Sequence, residues 1–279
     1  MAAQLAFLIQ DAPDDSITEA ALSRQLLADW PDLNPTLLST DHSGTPTAPT
    51  AGSAPIVLHY DTTMIAVMSV PAPIGDDLTE IAQHSRLWPN SAPVPVDYTG
   101  HSIVSVFDAG ATGHRAATEQ AVLLSKVIAS LIALSDGIQA VYWGSAEHVI
   151  LPALFRDLAL NTLPTPLLLA WVAMNVGTRP DGVLTGHTLG LEQLGVMDIE
   201  IPKSPEDASG VLDRLVGIAD YQLQNGPVIG DADTIGSVAA AQIIARHTPS
   251  AIGDERTVLS LSFVSNEPPA RKRGLFRRG

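Results

Sequence analysis

Apolar positions run unbroken from Ala6 to Ile9 before the polar Gln10, the pattern of a short buried strand. Ser16, with Glu19 three residues on, forms a capping box. It predicts a helix through Ile17, Ala21, Leu22 and Leu26 to about Trp30, where Pro31 stops it. Residues 39–54 have no period and read as a polar, proline-rich loop. Two strands, Ile56–Tyr60 and Met64–Val70, follow around a turn at 61–63. A helix from Asp76 to Trp88 ends at Pro89, and His101–Phe107 is again strand-like. The order βαββαβ predicts a ferredoxin-like half, two helices on one face of a mainly antiparallel sheet.

The rest opens on a long apolar helix, about Ala116 to Leu134, expected to be wedged between the two halves. Ile138–Trp143 reads as a strand, and a helix is expected from Glu147 to Asn161. Leu167–Val176 is apolar enough to suggest a central strand. Short strands are expected at Val183–Leu191 and Val196–Ile201. A helix from Pro205 to Asn225 is signalled by Ser204 as cap and Gly226 past its end. Strands near Ser237–Arg246 and Thr257–Val264 close the pattern. The expected class is α+β, two sandwich-like halves with mixed, mainly antiparallel sheets. The expected organisation is 1–112, 113–266 and a disordered basic tail at 267–279.

Composition narrows what such a chain does. Hydrophobic residues make up 46% and charged residues 16%, which excludes wholesale disorder. There is no cysteine, so disulfides, thiolate nucleophiles and cysteine-bound zinc are excluded. The N-terminus lacks a basic region and meets Asp11 and Asp14 early, so a strand rather than a signal peptide is read there. The run 121–134 is short and interrupted by Ser125, Lys126 and Ser130, so no membrane span is expected and the cytoplasm is the default. Of fifteen cations five fall in the last nine residues, leaving ten against thirty acids, a net −20, over residues 1–270. A body so acidic repels a phosphate backbone, so no nucleic-acid partner is expected.

One series of residues is distinctive. Val141-Tyr142-Trp143, Leu169–Val176, Thr188-Leu-Gly-Leu191 leading to Gly195, and Asp198-Ile-Glu-Ile201 begin it. Tyr221 with Asn225-Gly226, and Gly230-Asp-Ala-Asp-Thr-Ile-Gly236, complete it. Trp88-Pro89 and 101–106 fit the same pattern. With these residues the chain resembles the bacterial family called domain of unknown function 4261 over most of 1–264. The resemblance implies no particular activity. By analogy it points to a standalone cytoplasmic protein, an immunity or accessory factor of a toxin or secretion system. This chain departs from the family in having Ala232 where glycine is usual, which argues against an unusual backbone angle there.

Candidate chemistry is sparse. Asp231 and Asp233, with Thr234, have the i, i+2 spacing of a cation loop, but a turn entering a strand explains them equally. Glu80 and His84 offer half a metal site or simply a solvated helix face. Glu147-His148 follow a strand, where an α/β active site would lie, or start a helix capped by Ser145. His101 and His187 flank apolar segments, as hydrogen-bonded structural histidines do. No phosphate loop, dinucleotide fingerprint or serine elbow is present. The tail Arg271, Lys272, Arg273, Leu275, Phe276, Arg277 and Arg278 suits peripheral docking on an anionic membrane or a solubilising terminus. Two readings follow. The first is a non-enzymatic module that engages a protein partner, basic in character, through an acidic surface and needs no cofactor. The second is a metal-dependent hydrolase built on Asp231 and Asp233 with His101 or His148. Convergence of Trp143, Thr188, Asp231 and Thr234 on one pocket would discriminate between them.

Overall fold

A computed structural model of the chain describes residues 4–14, 16–40, 54–238, 241–252 and 255–265. The first strand, β1 (Gln4–Gln10), sends Ala6 and Leu8 to one face and Phe7 and Ile9 to the other. After it come α1 (Glu19–Asp29), β2 (Leu38–Thr40), β3 (Ile56–Tyr60), β4 (Thr63–Val70), α2 (Leu78–His84), β5 (Gly100–Phe107) and α3 (Gly113–Leu134). Next are β6 (Ile138–Trp143), β7 (His148–Ile150), α4 (Pro152–Thr162), α5 (Leu168–Trp171), β8 (Ala173–Thr178) and β9 (Leu184–Leu189). β10 (Ile199–Ser204), α6 (Ala208–Asn225), β11 (Thr234–Val238), β12 (Ala241–Pro249) and β13 (Thr257–Ser265) complete the order.

The architecture is α+β. An antiparallel sheet runs β2-β3-β4-β5-β1-β6-β7, and a mixed sheet runs β11-β12-β13-β10-β9-β8 with β10–β13 as its parallel pair. The ferredoxin-like arrangement is not what forms. That topology would seat β1 between β4 and β5, whereas β5 lies between β4 and β1. Nor do α1 and α2 share a face. Leu22 and Leu26 of α1 pack with Leu8, while Leu78 and Ala82 of α2 pack with Ile9 on the opposite side. Residues 138–150 join the first sheet beside β1, so that sheet extends beyond residue 113. The larger core cluster is continuous from Leu8 and Val104 through α3 to Ile199 and Leu259.

Helix α3 runs through this core, packed against α1, α4, β1 and β5. By length and composition alone it could cross a membrane, yet most of it is buried inside the protein. Its polar interruptions are used there. Ser125 Oγ accepts from Trp171 Nε1 at 2.8 Å, and Ser130 Oγ accepts from Trp30 Nε1 and donates to Asp29. Asp29 also receives both Arg156 Nη atoms at 2.8 Å, tying α1 to α4. Burial alone would raise the Asp29 carboxyl, but the Arg156, Gln25 and Ser130 hydrogen bonds hold it below the usual range.

Several local expectations need correcting. Thr18, not Ser16, caps α1; Ser16 donates to Asp14 instead. The loop at 39–54 begins within β2, and residues 41–53 lie outside the described residues. No helix starts at Glu147. Val149 and Ile150 suit a strand, β7 pairs with β6, and the helix waits for Pro152 at its first position. The expected strand 167–176 begins as α5, because Leu168-Leu-Ala-Trp171 are not β-branched. β8 is an edge strand, not a central one. Asp207 caps α6, while Ser204 ends β10. The single strand expected at 237–246 is two, β11 and β12, paired antiparallel; residues 239–240 lie outside the described residues.

Candidate binding cleft between the two sheets

Between α2 and the β8–β9 edge of the second sheet lies a cleft of about 700 Å³. Asp77 positions one wall: its carboxylate caps α2, accepting from the Thr79 and Glu80 amides at 2.9 and 3.3 Å. The helix then carries Glu80 and His84, a turn apart, into the lining. On the β6–β7 side are Tyr142, Glu147 and His148, and β8–β9 contribute Asn175, Thr185 and His187. Glu147 sits at φ +47 in the left-handed region, a costly conformation for a residue with a side chain, between β6 and β7.

The electrostatics are one-sided. Asp76, Asp77, Glu80 and Glu147 line the cleft, and among the described residues no lysine or arginine does. Burial first, then the Asp76 charge and hydrogen bond, push the Tyr142 phenol well above its ordinary value, so it stays a neutral donor to Asp76. His148 is buried, its Nε2 donates to Ala170 O at 2.7 Å, and burial lowers its pKa. Asn175 Nδ2 donates to His187 Nε2 at 3.1 Å, and burial likewise lowers His187.

Behind His187 the second sheet holds a different set of acids. Glu200, its partner across β9–β10, accepts from Ser250 Oγ at 2.6 Å and the Ala251 amide at 2.9 Å. Asp198 accepts from Thr188 Oγ1 at 2.8 Å, the Leu191 amide at 3.1 Å, the Gly190 amide at 3.4 Å and Arg256 Nη1 at 2.9 Å. Thr188 Oγ1 in turn accepts from the Ile199 amide at 2.8 Å. The Thr-x-Gly-Leu motif is thereby explained. Thr188 and the two amides embrace one buried carboxylate, and Gly190, at φ +115, sits where a Cβ would meet Trp171 O at 2.6 Å.

Of the residues singled out in the sequence, Glu80, His84, Glu147, His148 and His187 line this cleft together. Trp143, Thr188, Asp231 and Thr234, whose convergence would have discriminated between the two readings, do not share one pocket. His101 is buried on β5, with Nδ1 2.7 Å from Ala72 O and its ring tilted on Phe7. Trp143 stacks between Phe155 and Trp171 in the core. Thr188 serves Asp198. Asp231 accepts from the His247 amide and Asp233 from the Gly230 amide, so both brace the turn. Asp233 and Thr234 line a separate groove of about 600 Å³ beside α6. Ala232, between the two acids, adopts φ +71, so the backbone angle expected to be ordinary is a left-handed one. Among the described residues no group of three or more His, Asp or Glu is placed to hold a metal ion. Residues 271–278 lie outside the described residues.

Sequence reasoning missed Asp76, Tyr142 and Asn175 as members of one cleft. The acids crowded at 76, 77 and 80 were a visible signal, but their neighbours across the cleft are far along the chain. It also missed His114. Its Nδ1 and Nε2 lie 2.7 and 2.9 Å from Leu194 O and Leu223 O, joining the start of α3 to the end of α6.

Residues 187–262 match the family model described as domain of unknown function (DUF4261), so the resemblance drawn from the motifs holds over this stretch. The stretch includes Thr188, Asp198, Glu200, Arg256 and the 230–236 turn. No curated protein and no solved structure matches the chain.

Proposed function

We propose that this chain is a non-enzymatic protein-binding module whose interlayer cleft receives a basic segment of a partner protein. The observation that carries the reading is the cleft itself: four carboxylates, no lysine or arginine among the described residues, and walls from both sheets. Clustered charge of one sign in a concave, low-dielectric setting concentrates the field and steers a ligand of opposite sign. The net charge of −15 acts in the same direction at longer range. On this reading the role is that of an immunity or accessory factor, a part supported by analogy with the family resemblance. The hydrolase reading finds no comparable support, since Asp231 and Asp233 are engaged in their own turn and lie away from His101 and His148.

The test is affinity capture with the full chain. The wild type is expected to recover a basic protein at stoichiometric yield, and the triple variant Asp76→Asn, Glu80→Gln, Glu147→Gln to lose it. Equal recovery by both, or recovery of no basic protein, would overturn the proposal.

A further inference from the structure

The second groove differs from the cleft in kind. It runs beside β11, whose only strand neighbour among the described residues is β12, so that among them β11 is an edge of the second sheet. In an antiparallel edge strand, every second residue directs its N–H and C=O away from the sheet. Soluble proteins blunt such edges with charges, proline, bulges or short strands; β11, Thr-Ile-Gly-Ser-Val, is short and bulged but carries no charge and no proline. A bulge interrupts its register between Thr234 and Gly236, and Ile235 at that point lines the groove. The opposite side, from α6 and the residues after it, adds Ile218, Tyr221, Val228 and Ile229 beside Asp213 and Arg214, with Tyr221 49% and Val228 53% exposed. Open backbone next to an apolar trough is the arrangement by which an extended peptide adds a strand.

Charge decides what kind of chain fits. Asp213 and Asp233 stand in the groove, and its one cation among the described residues, Arg214, is held by Glu206 at 2.6 and 3.3 Å. The groove therefore offers negative charge around an apolar centre. A second copy of this chain is a poor match, because a two-fold pairing would bring like acids together on a molecule of net charge −15. We infer that β11 and the adjoining groove form a strand-addition site for an extended segment of another protein, apolar at alternate positions and basic between them. This surface is separate from the interlayer cleft and does not depend on the role proposed for it.

The probe is a fluorescent peptide alternating valine and lysine over nine positions, with a second version N-methylated at alternate residues. N-methylation leaves charge and side chains intact but removes half the backbone donors. Binding to the full chain is read by anisotropy at about 0.15 M salt, where attraction beyond about 8 Å is largely screened. The unmodified peptide is expected to bind at least tenfold more tightly than the methylated one. The measurement is made in the cleft variant Asp76→Asn/Glu80→Gln/Glu147→Gln, so that the interlayer cleft does not take up the basic peptide. In that background Val228→Glu and Tyr221→Glu, both at exposed positions, are expected to weaken binding despite adding negative charge. Equal affinity for the two peptides, or equal or tighter binding by the glutamate variants, would each reduce the interaction to charge alone and overturn the inference. A dimer seen by sedimentation and abolished by Val228→Glu would overturn it in favour of self-association.

Discussion

The molecule holds two sets of carboxylates in opposite environments. Asp198 and Glu200 are buried, and hydroxyls and amides surround each, with Arg256 added at Asp198. Asp76, Asp77, Glu80 and Glu147 line an open cleft to which, among the described residues, no lysine or arginine contributes. Burial of an acid demands partners, because an uncompensated charge away from water costs several kcal/mol. The buried set is therefore a structural knot, tying the 188–191 turn to the 250–256 loop. The cleft set keeps its hydration and its negative field, and is free to exchange both for a cationic ligand. Residue type alone would not have separated the two.

That contrast can be broken most forcefully at the knot. Asp198→Ala removes the carboxylate shared by Thr188, two backbone amides and Arg256. It should cost about 3 kcal/mol, read as a lower urea midpoint with unchanged slope. His148, at the cleft's buried floor, comes next. His148→Ala leaves Ala170 O without its donor and should cost about 2 kcal/mol.

The same residue gives stability a pH dependence whose sign can be worked out. Burial lowers the folded pKa below the ordinary 6.5. Above pH 6.5 both states are neutral at this site and its contribution is complete. As pH falls below 6.5 the unfolded chain takes up a proton that the fold refuses, so stability declines toward the lowered pKa. His187 acts in the same sense, and Asp198, raised mainly by burial, in the opposite sense at lower pH. Urea midpoints between about pH 7.5 and 5.5 should fall in the wild type and fall less in His148→Gln.

A smaller effect is expected at the turn beside the second groove. Ala232 holds φ +71, a conformation costing an L-residue about 1 kcal/mol or more, so Ala232→Gly should stabilise by up to about 1 kcal/mol. The open cleft should give the least. Glu80→Gln is expected to change stability by no more than about 0.5 kcal/mol, as surface substitutions do, while weakening capture of a basic partner. A loss as large as that of Asp198→Ala would show that the cleft acids are structural after all.

Much of the fold was legible because local physics governs it. Ile138–Trp143 forms as read, since its apolar run is short and bounded by Gly137 and Gly144. Gly226 does end α6, at φ +78. The reading failed where two local signals competed or none existed. Ser204 and Asp207 both suit a cap, and only the length of β10 decides between them. The end of β11 and the start of β12 fall in the apolar run Val238 to Ala241, where no turn former marks a break. Strand order was illegible too, since antiparallel pairing of β5 with β1 is a long-range choice that alternation does not encode.

By itself, the sequence determined an α+β protein without cysteines, strongly negative over residues 1–270, with period-two strands and one long core helix. It also carried the motifs of 187–262, as a pattern without a role. The tertiary structure decided which acids are knots and which are open, because solvation depends on neighbours distant in the chain. It turned the Thr-x-Gly-Leu motif into a carboxylate brace, placed Asp231 and Asp233 in a turn, and assembled the acidic cleft from α2, β6–β7 and β8–β9. Alternation fixes which face of a strand is buried, but where a cleft opens depends on how the layers meet, and that is settled only when the chain packs.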